Sequence, residues 1–295
     1  MKRRIGYSML FTMFLIFLTA CGSQKPQSAQ NASGVESRTE QTDAAEFDAQ
    51  GNVDAEETNT ESDFQYVSDK GTLVIGITEF EPMDYQDEDG NWIGFDADLA
   101  SAFADSMGVE PVFQLIDWDN KIMELNGKTI DVVWNGMTLT DEVLSAMECS
   151  VPYFNNAQVV VVSSELAGEI DSVETLPSLN FAVEAGSAGE NMAKENDFSY
   201  TEVMDQATAL LEVSSGTADA AIVDFLMAKS MTGEGTSYDN LSITVSLNSE
   251  EYGVGFRKGS DLAEVLNQFF QESYEIGQMQ EIAERYNIAD ALVAQ

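Results

Sequence analysis

Apolar side chains along the chain fall into two rhythms, short near-continuous runs and a 3.6-residue period, and from Phe64 onward the two alternate. Thr72-Leu73-Val74-Ile75-Gly76-Ile77 is an apolar run bounded by Gly71 and by Glu79-Phe80-Glu81-Pro82, the pattern of a strand covered on both faces. Asp87-Glu88-Asp89-Gly90-Asn91 carries turn chemistry. Phe95, Leu99, Ala102 and Phe103 then recur at helical spacing, and Gly108 stands where that helix should end. PVFQLID (111–117) reads as a strand, Trp118 to about Leu125 as a helix, and IDVVWN (130–135) as the next strand. A second series starts near Asn156: the strands AQVVVVSS (157–164) and NFAVEAG (180–186), then a helix opened by Gly186-Ser187-Ala188-Gly189-Glu190. DAAIVD (219–224) leads into a helix from Phe225 to Met231, and LSITVSL (241–247) is the last strand of that series. YGVGFRKGS (252–260) precedes two helices, near 260–275 and 278–286, left over from the second series and expected to return to the first. The alternation predicts an α/β fold.

The residues before Phe64 follow no such rhythm. Lys2, Arg3 and Arg4 precede an apolar run from Met9 to Leu18, which ends in Leu18-Thr19-Ala20-Cys21. This is the form of a secretory signal peptide over residues 1–20, and the run is short for a bilayer span. Small residues before a cysteine resemble a bacterial lipobox, whose cysteine takes a diacylglyceryl group, so Cys21 is expected to become a lipidated N-terminus. Residues 21–63 are rich in Ser, Gln, Asn, Thr, Glu and Asp, bury too little apolar surface to offset chain entropy, and read as a disordered acidic tether.

Composition narrows the function classes. An apolar content of 44% with 16 Phe in 295 residues supports a sizeable core. The net charge of −39, more negative still once the leader's three basic residues are gone, repels nucleic acid and anionic membrane surfaces apart from the lipid anchor. There is no histidine and no metal-ligand spacing, and neither metal nor cofactor is expected. Cys149 is the one cysteine besides Cys21, so no internal disulfide framework is available, and it reads as a buried structural thiol.

KGTLVIGITEFEPMDYQDEDGNWIGFDADLASAFADSMG (70–108) resembles the N-terminal signature of the extracellular solute-binding protein family 3, the amino-acid-type receptors of bacterial ABC importers. WDNKIMELNGKTIDVVWNGMTLTDE, VPYFNNAQVVVV, GTADAAIVD and the segment from Tyr252 to Tyr286 resemble later family segments in the same order, so the likeness covers about residues 66–288. It implies a two-lobed periplasmic-binding-protein-like fold of type II, with two α/β lobes joined by crossing hinge strands. Lobe 1 would comprise 66–157 plus 251–295 and lobe 2 158–250. It further implies a receptor that captures a small polar solute, amino acid or amine, and delivers it to a permease. Such a receptor would be a monomer, lipid-anchored on the outer face of the cytoplasmic membrane.

The resemblance also implies a site. Phe80, with Glu79 beside it, stands where the family covers its ligand with an aromatic; Phe80 can equally be simple packing. Gly136, Met137 and Thr138 occupy the segment that offers backbone groups and a hydroxyl, with Trp134 and Asn135 leading into it; Trp134 reads equally as core. Ser187, Ala188 and Gly189 match the helix-opening turn that meets the ligand's carboxylate. Asp224 matches the acid that receives the α-ammonium, and can also cap a helix. Where typical members place a carboxylate-gripping arginine, this chain has Val143. Two repairs are open: an amino acid whose carboxylate is held by N–H groups of residues 136–138 and 187–189, with or without a lysine reaching in from elsewhere, or a cationic or zwitterionic solute without a strong carboxylate demand, held by Asp224, Glu79, Phe80 and Trp134. An enzyme on the same scaffold and a sensory lipoprotein without transport are the competing classes; the first lacks a histidine or an evident nucleophile with its base.

Overall fold

The computed structural model describes residues 62–295; the expected leader, Cys21 and the tether as far as residue 61 lie outside the described residues. The described residues open with helix α1 (Asp63–Lys70), strand β1 (Thr72–Ile77), the hairpin β2 (Tyr85–Gln86) and β3 (Trp92–Ile93), helix α2 (Phe95–Met107) and β4 (Glu110–Leu115). A single 3-10 turn, Trp118–Asn120, leads into α3 (Lys121–Asn126), followed by β5 (Val132–Thr138), α4 (Asp141–Ala146), β6 (Met147–Cys149) and β7 (Phe154–Asn156). Next come β8 (Gln158–Ser163), β9 (Asn180–Glu184), α5 (Ala188–Glu195), β10 (Ser199–Val203), α6 (Gln206–Ser215), β11 (Ala220–Asp224), α7 (Phe225–Met231) and β12 (Leu241–Ser246). Strand β13 (Glu250–Arg257) and helices α8 (Leu262–Glu275) and α9 (Gln278–Arg285) complete the series.

Two main sheets result. One runs β4-β1-β5-β13-β6, with β7 also paired to β13; β1 is parallel to β4 and β5, and β13 is antiparallel to its neighbours. The other runs β10-β9-β11-β8-β12, with β9 parallel to β10 and β11, and β8 antiparallel to β11 and β12. The chain crosses between them at Ala157 and again over residues 247–249. This is the two-lobed α/β architecture the sequence led us to expect. The leftover helices do return to the first sheet, α8 against β13 and α9 against α2.

The first lobe is built around aromatic side chains. Trp134 lies 6.1 Å from Phe103 and 5.7 Å from Phe270, ring to ring, while Tyr153 stacks on Phe95 at 6.0 Å. All are fully buried, and a buried Phe of this kind contributes about 2–3 kcal/mol of apolar transfer free energy.

Four differences from expectation have local causes. The tether ends earlier than residue 63, because the Ser62 hydroxyl accepts from Gln65 N at 3.0 Å and Asp63 is buried against Arg257. Helix α1 escaped notice because Val67 is its one buried apolar residue. Strand β10 and helix α6 were also missed; β10 is an edge strand with no fully buried position. Cys149 is half-buried rather than fully buried, and desolvation, only partly offset by Lys258, raises its thiol to about 11, which leaves it unreactive.

Arg257 secures the chain entry. Its Nη2 lies 3.0 Å from Asp63 and 3.7 Å from Asp131, and its Nη1 donates to the carbonyls of Leu125 and Ile130. Lys70 reaches Asp131 from the other end of α1. Arg257→Met would leave Asp63 with no cation and Asp131 with one. We expect a loss of about 3 kcal/mol in denaturant-unfolding stability, and a midpoint within error of wild type would refute this role.

Candidate functional site

Parallel neighbours β9 and β11 end at the same edge of the second sheet, in Glu184 and Asp224. Crevices outside the carboxyl ends of such strands are where open α/β sheets bind small molecules. Here that edge faces the end of β5 and the Trp118–Lys121 segment of the first lobe, enclosing a cavity of about 30 Å³. By a measure in which one water needs about 10–15 Å³, that is room for roughly two waters.

Asp224 is held in the cavity wall by four side-chain hydrogen bonds. Its Oδ1 accepts from the Tyr252 hydroxyl at 2.8 Å, Gln158 Nε2 at 3.1 Å and the Asn156 amide; its Oδ2 accepts from the Gln206 amide. The Gln206 carbonyl oxygen accepts in turn from Asp224 N at 2.8 Å, so one amide clamps both backbone and side chain. These are neutral donors. Burial and then Glu250 raise the Asp224 carboxyl to about 8, against the lowering effect of Tyr252 and Gln206. Asp224 opens α7 but its side chain makes no capping bond, so the capping role is absent. A carboxylate has about four lone-pair sites, and Oδ2 retains one for a cation.

Lys121 supplies the opposite sign. It is buried, and its Nζ donates to Trp118 O at 3.2 Å in its own lobe and to Gly186 O at 2.8 Å in the other. It also lies 4.9 Å from the centre of the Trp118 ring. An ammonium has three donors, so one remains for a solute. Desolvation lowers its pKa while Glu184, Glu142, Asp119 and Glu190 oppose the shift. Its contact at Gly186 brings it to the mouth of α5, where Ser187 caps by accepting from Glu190 N at 3.1 Å and Gly186 N donates to Glu190 Oε2 at 2.9 Å. The N–H groups of Ala188 and Gly189 have no acceptor within the helix.

Of the residues singled out in the sequence, Phe80, Asn135, Gly136, Met137, Thr138, Ser187, Ala188 and Asp224 line this cavity together. Several are already engaged. Gly136 N donates to Asp96 Oδ2 at 2.6 Å, and the Asn135 amide is spent on Thr78 and Asp84. The Thr138 hydroxyl donates to Glu250 at 2.9 Å. Gly136 needs to be glycine: its φ is 53°, and a Cβ would sit 2.4 Å from the Phe80 ring. Three residues stand elsewhere. Trp134 is fully buried among Phe103 and Phe270, because its position on β5 points it into the core. Glu79 lines a separate groove with Met204 and Asp205, where burial and then Asp205 raise its pKa. Gly189 lies behind the wall, where a Cβ would meet Ile222 O at 2.7 Å.

Sequence reasoning missed Trp118, Lys121, Glu184 and Gln206, which line the cavity, and Tyr252 and Glu250, which brace it. Val143 lines the wall as well, buried on the first turn of α4 beside the capping Thr140, and brings no charge.

The bacterial extracellular solute-binding proteins, family 3, match over residues 73–289. The chain belongs to that family. Family 3 relatives include the arginine-binding extracellular protein ArtP of Bacillus subtilis, 31% identical over 74% of this chain and 87% of its own length. The L-cystine-binding protein TcyJ of Escherichia coli is 29% identical over 76% of this chain and 85% of its own. Among solved structures, a Streptococcus pneumoniae ABC uptake transporter substrate-binding protein with bound histidine superposes with a TM-score of 0.72 at 27% identity, covering 79% of this chain and 99% of its own. A more distant relative, 23% identical over 57% of this chain and 65% of its own length, is a cyclohexadienyl dehydratase of Pseudomonas aeruginosa. The first three are named as binding proteins.

The raised carboxyl of Asp224 has a consequence for stability. The ordinary value is 3.8 and the folded value about 8, so the folded protein holds a proton that the unfolded chain releases. The contribution of this group is therefore fully present below pH 4 and is lost as pH rises to about 8. Asp224→Asn should melt closer to wild type at pH 5 than at pH 8, where the variant should be the more stable. A gap that widens in the opposite direction would contradict the assignment.

Proposed function

We propose that this family 3 protein is the solute-binding lipoprotein of an ABC importer. It takes a free amino acid between its lobes on the outer face of the cytoplasmic membrane and passes it, as a monomer, to a transmembrane permease. One observation carries the choice of solute: a buried carboxylate from one lobe, Asp224, and a buried ammonium from the other, Lys121, face a single cavity. Those are the counter-charges of an α-ammonium and an α-carboxylate. The names of the relatives, which bind arginine, cystine or histidine, support the same class.

Lys121 answers the loss of the arginine that Val143 replaces. An ammonium is a point charge without a guanidinium's fork, so the carboxylate takes a further hydrogen bond from Ala188 N–H at the positive end of α5. Trp118 and Phe80 supply the apolar walls. A solute touching both lobes favours their closed arrangement over the open one, and a permease that reads the closed arrangement receives only loaded receptor. An α-ammonium on Asp224 also displaces its proton, so affinity should climb with pH until about 8.

Calorimetric titration with single amino acids tests this reading. Asp224→Ala and Lys121→Met should each weaken the best amino acid by roughly 30-fold or more, the effect of unpairing a buried charge. Unchanged affinity in both variants would remove the two residues from the site. An amine without a carboxylate that binds while every amino acid fails would turn the reading to an amine receptor. Solute recovered unchanged after long incubation, by mass spectrometry, separates a receptor from an enzyme.

A further inference from the structure

Glu184 is left over once the two α-groups of an amino acid have been placed. It ends β9, is 3% exposed and lines the cavity, and its Oε1 is buried with no hydrogen-bond partner. Buried polar side chains in folded proteins are rarely left so, because an unpaired acceptor away from water costs free energy. The charged groups that face it are Asp224 on β11, Asp205 ahead of α6, and Lys121 on α3; Gln206 is its neutral neighbour. Lys121 is the single cation among them, and its hydrogen bonds run to Trp118 O and Gly186 O rather than to Glu184. Glu142, on the exposed rim of the same cavity, adds negative charge and no counter-charge.

A charge count over the cavity decides what is missing. A neutral amino acid brings one positive and one negative group, which Asp224 and Lys121 match. Glu184 then stays buried and unanswered. A solute with a second cation balances it and brings the donor that Oε1 lacks.

We propose that Glu184 is the specificity-determining residue of this receptor, receiving a positively charged side chain and so selecting basic amino acids over neutral ones of the same shape. The inference rests on the amino-acid reading above. Burial, and then the like charge of Asp224, raise the carboxyl of Glu184 well above its ordinary range in the empty cavity. A cationic side chain beside it opposes that shift, so binding of a basic solute should release more protons than binding of a neutral one.

Isosteric pairs test this on the wild-type full chain. L-arginine should bind roughly 30-fold or more tightly than L-citrulline, or L-lysine than L-norleucine, by calorimetry at pH 8. In E184Q that ratio should fall at least tenfold while the neutral member of the pair binds within about threefold of its wild-type affinity. The melting temperature of the variant reports whether it is folded, and removal of an unanswered buried acid should leave it unchanged or higher. Citrulline and norleucine binding as tightly as their basic counterparts would overturn the inference while leaving the amino-acid receptor intact. Equal weakening of basic and neutral solutes in E184Q would overturn it too, since Glu184 would then act by orienting Lys121. Failure of every amino acid to bind would instead overturn the receptor reading, and this inference with it.

Discussion

The central constraint on this molecule is negative charge carried into a closed space at the edge of a sheet. Two acids end neighbouring strands of one lobe, and Lys121, the one cation lining the cavity with them among the described residues, belongs to the other lobe. Isolated burial of an ionised carboxylate is costly, and at Asp224 hydrogen bonds offset only part of that cost, which leaves its carboxyl raised to about 8. Its donors are placed with consequence: Asn156 and Gln158 flank the first crossing between lobes, and Tyr252 follows the second. Glu250, at the start of β13, accepts from the same two amides and from Thr138 of the first lobe. The acid proposed to meet a solute is thus wired to the two crossings between the lobes, and candidate site and crossings share one hydrogen-bond network.

Much of the fold was legible in the sequence because it is written in long apolar runs. Thr72–Ile77 is β1 to the residue, and Phe225–Met231 is α7 to the residue. Gly108 ends α2 in the left-handed conformation that its position suggested. What stayed hidden was written in weak periodicity: α1 buries Asp63 and Val67 alone, and β10 lies at a sheet edge. The site divides along a similar line. Residues at strand ends and helix mouths, such as Asp224 and Ser187, could be found because topology fixes where those points lie.

Lys121 and Glu184 could not be found that way. Lys121 sits in WDNKIMELN, a stretch that reads as an ordinary amphipathic helix with its lysine toward water, and only packing turns it inward. Glu184 was one acid among 52. Its signal was the company it kept, an acid inside the apolar run NFAVEAG where burial is the rule. Asn135 carried a similar mark, a polar residue in a strand of valines and tryptophan, and it proved to be the strut between β1, β5 and Asp84. Trp134 misled because an aromatic at a strand's end faces core or crevice according to a one-residue parity.

Gly186 has a further consequence for how the lobes come together. At φ 70° it passes so near Asp119 of the opposite lobe that a Cβ would lie 2.7 Å from the Asp119 Cα. Two main chains from separate halves thus approach to within the thickness of a methyl group. Backbone atoms cannot rotate aside as a side-chain tip would, so the absent carbon acts as clearance in a mechanical latch. A single alanine there would strain the turn at the mouth of α5 and act as a doorstop, holding the halves farther apart than they stand in this structure.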